Sequence, residues 1–326
     1  MPAINFIMGI DQTGAQHPRR AQAAKPLPIA LVFRQKDYWK VTVSQSDRPQ
    51  PLQLNRINYD SLLHLQKSLQ EREGPLIVAI DCVLGMPEAV TCPPSWGQGR
   101  SLMLKLFLEA THYHHKLKDS GEASYGLTVS RDFFRKLQFG DNENKNLPVG
   151  RLPQRWVESL LKANSVFRER PFQKNIQSGT FRIWAELGSS NHLDRIHMWP
   201  FDDIQRCQAG DIMLMECYPS HLWRADWGIN RRNPMLLIER ILNESNLPIQ
   251  ISEIDRQILE NSIDHCDALV NALGFLLRWQ ADPTANLHPN IPKVMNKEGW
   301  ILGAEAPKIK KPKKLVKQNC EGLVSH

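Results

Sequence analysis

None of the six cysteines of this 326-residue chain forms a CxxC pair; they are scattered at Cys82, Cys92, Cys207, Cys217, Cys266 and Cys320. That argues against a zinc ribbon and against a disulfide framework. Nine tryptophans beside free thiols fit a reducing compartment, so a cytoplasmic location is expected. No apolar run approaches the roughly 20 residues that a membrane helix needs. No basic stretch precedes the short run Ile4, Phe6, Ile7 and Met8, so neither a membrane span nor a secretory signal is expected. The 18 glycines never cluster into a nucleotide-cradling loop. Charge of one sign is also scarce over most of the length. The net charge is +7, but 307–326 alone carries six lysines against one acid, Glu321. The 306 residues before it hold 35 basic and 33 acidic side chains. A basic isoelectric point near 9.1 therefore does not by itself mark a nucleic-acid binder.

What is present reads as an α/β protein. Ile4–Ile10, Ile29–Phe33 and Trp39–Val43 are strand candidates, rich in β-branched and aromatic residues. Leu62, Leu65 and Leu69 recur at helical spacing, and Leu76–Ile80 and Ile212–Cys217 are further apolar strands. The segment 90–210 is expected to be a mainly helical insertion, with helices near Ser101–Lys118 and Gln154–Arg168. A helix is expected to begin near Ser252, where Ser252 and Asp255 are spaced for a capping box, and Asp264–Trp279 forms the last helix. The expected organisation is a core of 1–89 and 211–306, the insertion, and a basic, disordered tail over 307–326.

The chemistry lies in acids at strand ends. Asp11, Asp81 and Glu216 sit at or beside the C-terminal ends of expected strands, where ligand sites of open α/β sheets lie. Asp264 and Asp267 are three apart and share a helix face. Carboxylates gathered this way repel one another. Mg²⁺ or Mn²⁺ relieves that repulsion with oxygen ligands, and two such ions suit phosphodiester hydrolysis. Each acid alone is more often a turn or capping residue; the pattern is what points to a site. Gln12, Arg182, His221 and Arg224 are candidates for substrate contact, with Arg231 and Arg232 as further cations. Trp96, Trp184, Trp199, Trp223 and Trp227 are either base-stacking or core residues. His112, His114 and His115 read as a solvated helix face rather than a metal site.

Four segments in order carry a resemblance: Met8-Gly9-Ile10-Asp11; Val78-Ala79-Ile80-Asp81 through Gly85-Met86-Pro87; Glu216-Cys217-Tyr218-Pro219; and Asp264-His265-Cys266-Asp267-Ala268-Leu269. Together they resemble the DUF429 family of predicted RNase H-like nucleases. The closing Asp-x-x-Asp is also similar to the last motif of RuvC-type resolvases, and Glu298-Gly299-Trp300-Ile301 resembles a C-terminal signature of the family. The resemblance implies a mixed five-stranded RNase H-like sheet flanked by helices. It also implies Asp11, Asp81 and Asp267 as metal ligands, Asp264 and Glu216 as supporting acids, and DNA or RNA as substrate. One departure stands out: the first crossover helix offers Asp60 at its start and Glu71 and Glu73 at its end, but no acid in its middle. Two alternatives stay open. One is a catalytically inert module binding nucleic acid or a protein partner in a larger complex. The other is an actin-like phosphotransferase, suggested by Gly9 to Gly14 but lacking a second lobe.

Overall fold

The computed structural model describes residues 3–12, 26–44, 54, 56–69, 74–119, 127–139, 154–163, 165–166, 176–282 and 292–305. Thr13 and Gly14, residues 140–148 and the lysine-rich tail lie outside the described residues.

The strand candidates become β1 (Phe6–Ile10), β2 (Ile29–Gln35), β3 (Tyr38–Val43), β4 (Leu76–Ile80) and β6 (Ile212–Glu216). β1, β2 and β3 form an antiparallel meander, whereas β4 and β6 run parallel to β1. Crossovers from β3 to β4 and from β4 to β6 supply the helices that parallel strands need. The sheet has seven strands rather than five, in the order β5-β6-β4-β1-β2-β3-β7. The two additions, β5 (Ile196–Met198) and β7 (Ile249–Ile251), are three-residue strands at the opposite edges. Three residues are too few to display an alternation, which is why the sequence pattern does not reveal them. β5 belongs to the 90–210 segment, so that segment extends the sheet as well as adding helices.

Apolar side chains of β1, β4 and β6 fill a core on each face of the sheet. One face carries α1 (Tyr59–Leu69), α2 (Arg100–Asp119), α3 (Leu127–Phe139) and α5 (Ile176–Gly188). The other carries α6 (Pro219–Ala225), α7 (Pro234–Asn243), α8 (Glu253–Asn261) and α9 (Ile263–Ala281). The helix expected over Gln154–Arg168 is shorter, α4 (Trp156–Leu161), because Lys162 turns left-handed at φ 55° and closes it. The polar-looking stretch Gln177–Trp184 forms the buried body of α5. At α8 the Ser252 hydroxyl accepts from the Asp255 N–H at 3.2 Å. The Asp255 carboxylate bonds in turn to the Ser252 hydroxyl through Oδ2, while its Oδ1 accepts from the Val43 N–H at 2.8 Å and ties α8 to β3. No helix among the described residues is long and apolar enough to cross a membrane.

α9 rests directly on β1. Gly9 makes this approach feasible, because a Cβ there would run into the carbonyl oxygen of Ala268. Asn271 adds a bond from Nδ2 to the Ile10 carbonyl at 3.1 Å. Gly9→Ala is therefore expected to push α9 off the sheet, costing about 1–3 kcal/mol or more. Denaturant unfolding of the variant checks this; an unchanged midpoint would mean that the approach is not tight.

Candidate carboxylate site

Side chains alternate along a strand, and register partners on neighbouring strands share a face. Ile10 pairs with Ile80, and Ile80 with Glu216. Ile10 and Ile80 belong to the core beneath α1, α2 and α5. One residue further along, parity reverses: Cys217 lies in the core beneath α9, and Asp11 and Asp81 follow the same offset. Asp267 on α9 therefore meets Asp11 and Asp81. Glu216 belongs to the other face.

The charges report the meeting. Asp11 and Asp267 are buried and Asp81 is partly buried. Burial, then the negative charges of Asp11 and Asp267, hold the Asp81 carboxyl well above the usual range, with Arg232 opposing. Burial also pushes Asp267 up to about 7, with Asp11 adding to the rise against the pull of Arg232 and Trp223. Asp267 Oδ2 pairs with Arg232 Nη1 at 2.8 Å, and its Oδ1 accepts from the Trp223 indole N–H at 2.6 Å. Asp264 stands one turn earlier on α9, half-buried, its backbone in the turn that Ser262 caps.

Two more polar side chains near the end of β1 carry atoms without partners among the described residues, Gln12 on the α5 face of the sheet and Asn271 on the α9 face. Gln12 is 2% exposed, and neither its Nε2 nor its Oε1 has a hydrogen-bond partner. Its amide packs on Gly179 of α5, where a Cβ would collide with it. Asn271, four residues after Asp267 and so on the same helix face, leaves its Oδ1 unpaired. Buried polar atoms without partners are uncommon and mark a place where water or a ligand completes the bonding.

Glu216 has a different task from the one its position at a strand end suggests. Arg155 grips it with both terminal nitrogens, Nη1 to Oε2 at 2.7 Å and Nη2 to Oε1. The Leu84 N–H adds a bond to Oε2 at 2.8 Å. Arg155 Nε also pairs with Glu158 at 2.8 Å. With both oxygens engaged inside the core, Glu216 locks elements together, and its charge also adds to the rise of the Asp81 carboxyl. Arg182 is likewise buried on α5, bonded to Glu186 at 2.7 Å. His221 Nε2 lies 2.8 Å from the Gly303 carbonyl oxygen. Arg224 is exposed on α6, its Nε donating to the Ser220 carbonyl at 3.1 Å. Trp184, Trp199, Trp223 and Trp227 are core residues; Trp96 is partly buried. His112 and His115 are exposed on α2.

No family model, curated protein or solved structure matches the chain. The site therefore rests on its own geometry.

The donors of Asp11, Asp81, Asp264 and Asp267 are all hard oxygens, the kind that Mg²⁺ and Mn²⁺ prefer. Among the described residues no three His, Cys, Asp or Glu side chains already stand in ligating positions; Asp267 is turned instead toward Arg232 and Trp223. The oxygen donors suit a divalent cation in kind, and Arg232 offsets only part of their charge.

Two outcomes follow. Glu216→Gln is expected to cost about 3–5 kcal/mol, because it leaves Arg155 buried against a neutral partner; equilibrium unfolding measures it, and a loss under about 1 kcal/mol would contradict the lock. The second concerns pH. An acid whose folded pKa is raised binds its proton more tightly folded than unfolded. That stability is complete below the ordinary value of 3.8 and is lost as pH rises through about 7 for Asp267. The metal-free thermal midpoint is expected to climb as pH falls from about 8 to about 5, and a midpoint that falls steadily over that interval would refute the clustering.

Proposed function

We propose that this protein is a metal-dependent nuclease with an RNase H-like core, cleaving phosphodiester bonds of DNA or RNA at Asp11, Asp81 and Asp267. One observation carries the reading. Three acids from three separate elements converge at the C-terminal ends of adjacent parallel strands, and burial and mutual repulsion raise two of them far from their ordinary behaviour. Carboxylates perturbed by burial and by one another are characteristic of functional sites. The strand order β3-β2-β1-β4-β6, a meander followed by parallel strands, supports the RNase H-like part of the reading.

Each residue has a task in this scheme. Asp11, on the central strand, Asp81 and Asp267 would hold a divalent cation, with Asp264 one turn earlier on α9 as a supporting acid. Mg²⁺ or Mn²⁺ would there supply positive charge to the phosphodiester and lower the pKa of a water. Asn271 Oδ1, without a hydrogen-bond partner, would accept from such a water. Trp223 donates to Asp267 and keeps its carboxylate oriented.

The test is cleavage of a structured DNA or RNA with Mg²⁺ or Mn²⁺. Asp11→Asn and Asp81→Asn are each expected to lower the rate at least about a hundredfold, with the metal-free thermal midpoint unchanged or raised as repulsion is relieved. Loss of several kcal/mol of stability in both variants would make the acids structural. Absence of cleavage with either metal, together with no ion binding by calorimetry, would leave a binding module in place of an enzyme.

A further inference from the structure

The acid cluster has a basic neighbour. The loop between α6 and α7 brings Arg232 onto Asp267, and the same guanidinium reaches Ser220 Oγ through Nη2 at 2.6 Å. Beyond it lies an open cavity of about 240 Å³, lined among others by Tyr218, Ser220, Trp223, Arg224, Asn230 and Arg232. No acid lines it. The nearby Asp226 is taken up by Arg278 through two bonds of 2.9 and 2.8 Å. Arg224 makes no ion pair with any described residue. One side chain, Arg232, thus belongs at once to the carboxylate site and to the cavity wall.

We infer that this cavity is an anion subsite that takes a phosphate group of the substrate. The inference rests on the nuclease reading for the identity of the anion, though not for the existence of the subsite. The size is decisive between occupants. About 240 Å³ is several times the ~30 Å³ share of one water, yet below the ~300–1,000 Å³ of sites that enclose a whole drug-sized ligand. It suits a phosphate with its waters rather than a base. Two guanidinium groups present paired donors matched to phosphate oxygens. The Ser220 hydroxyl, the Tyr218 hydroxyl and the Asn230 amide add neutral donors. Indole Trp223 spans both places, bonded to Asp267 on one side and lining the cavity on the other. A phosphate held here would set the neighbouring phosphodiester against Asp267, and Arg232 would exchange part of its hold on the carboxylate for the ligand.

The experiment needs no cleavage. The metal-free full-length protein is titrated calorimetrically at low ionic strength with inorganic phosphate, and separately with acetate. Saturable one-to-one binding of phosphate is expected, with acetate at least about tenfold weaker. Arg224→Gln and Arg232→Gln should each weaken phosphate binding about tenfold or more, and Asp11→Asn should retain it. Arg232→Lys, which keeps the charge facing Asp267, should fall between wild type and Arg232→Gln; it also serves if the glutamine variant fails to fold. Three results overturn the inference: no phosphate binding by wild type, equal binding of acetate, or binding indifferent to both arginine changes, as an anion held by the lysine-rich tail would give. Phosphate binding that persists in a protein unable to cleave would refute the nuclease reading while leaving the subsite standing.

Discussion

The approach of α9 to β1 at Gly9 is the constraint on which the site depends. Only a residue without a side chain lets the Ala268 carbonyl sit that close to the strand. The Asn271 bond to Ile10 then fixes the rotation of the helix. Position and rotation together decide that Asp267, rather than another residue of α9, faces the ends of β1 and β4. The acids are consequently held by backbone contacts and packing rather than by attraction for one another, which they lack. Such an arrangement stores repulsion, and the apolar cores on both faces of the sheet supply the stabilisation that holds it in place.

A second buried charge system settles the other half of the fold. Arg155 joins Glu158, Glu216 and, through the Glu298 carbonyl at 3.1 Å, the C-terminal segment. The Trp156 N–H reaches Glu298 Oε2 at 3.0 Å, and the Leu302 N–H reaches the Glu216 carbonyl at 2.9 Å. Gly85 lies so close to the Glu298 carbonyl that a Cβ would overlap it. The Gly85-Met86-Pro87 and Glu298-Gly299-Trp300 segments therefore meet in space, and they meet as a latch rather than as chemistry. A buried ion network of this kind is costly to break one partner at a time, so it fixes how the segment after β4, α4 and the C-terminal turn fit together.

Much of this was legible in the sequence, and its limits have identifiable causes. The unbroken apolar runs of β1 and β4 announced buried parallel neighbours, and the acid following each run marked the strand ends. Asp267 was legible from its helical spacing to Asp264. Glu216 was misleading for a reason of parity: it is the last residue of its strand, whereas Asp11 and Asp81 are the first residues beyond theirs. A strand-by-strand count of register would have separated them, but register depends on pairing that sequence periodicity alone does not supply. α5 was hidden because Gln177, Ser178, Thr180 and Arg182 look solvent-facing. All are buried, and Arg182 is satisfied by Glu186 within the same helix. Only the Glu158 part of the Arg155 lock is local, three residues away; its other partners lie 61 and 143 residues away in the chain.

Arg232 explains how the cluster tolerates its own repulsion. Three acids confined together cannot all ionise in a desolvated place, so part of the charge is removed by protonation and part is offset by a cation. Burial and the neighbouring acids raise Asp81 and Asp267, which favours their protonated forms. The cation is Arg232, which is 36% exposed and borne on a surface loop rather than in the core. A buried arginine such as Arg155 could not withdraw without leaving a bare charge behind. Arg232 can, because its guanidinium already has water on one side and loses little by turning toward it. The Trp223 bond holds the Asp267 carboxylate in place on its other oxygen.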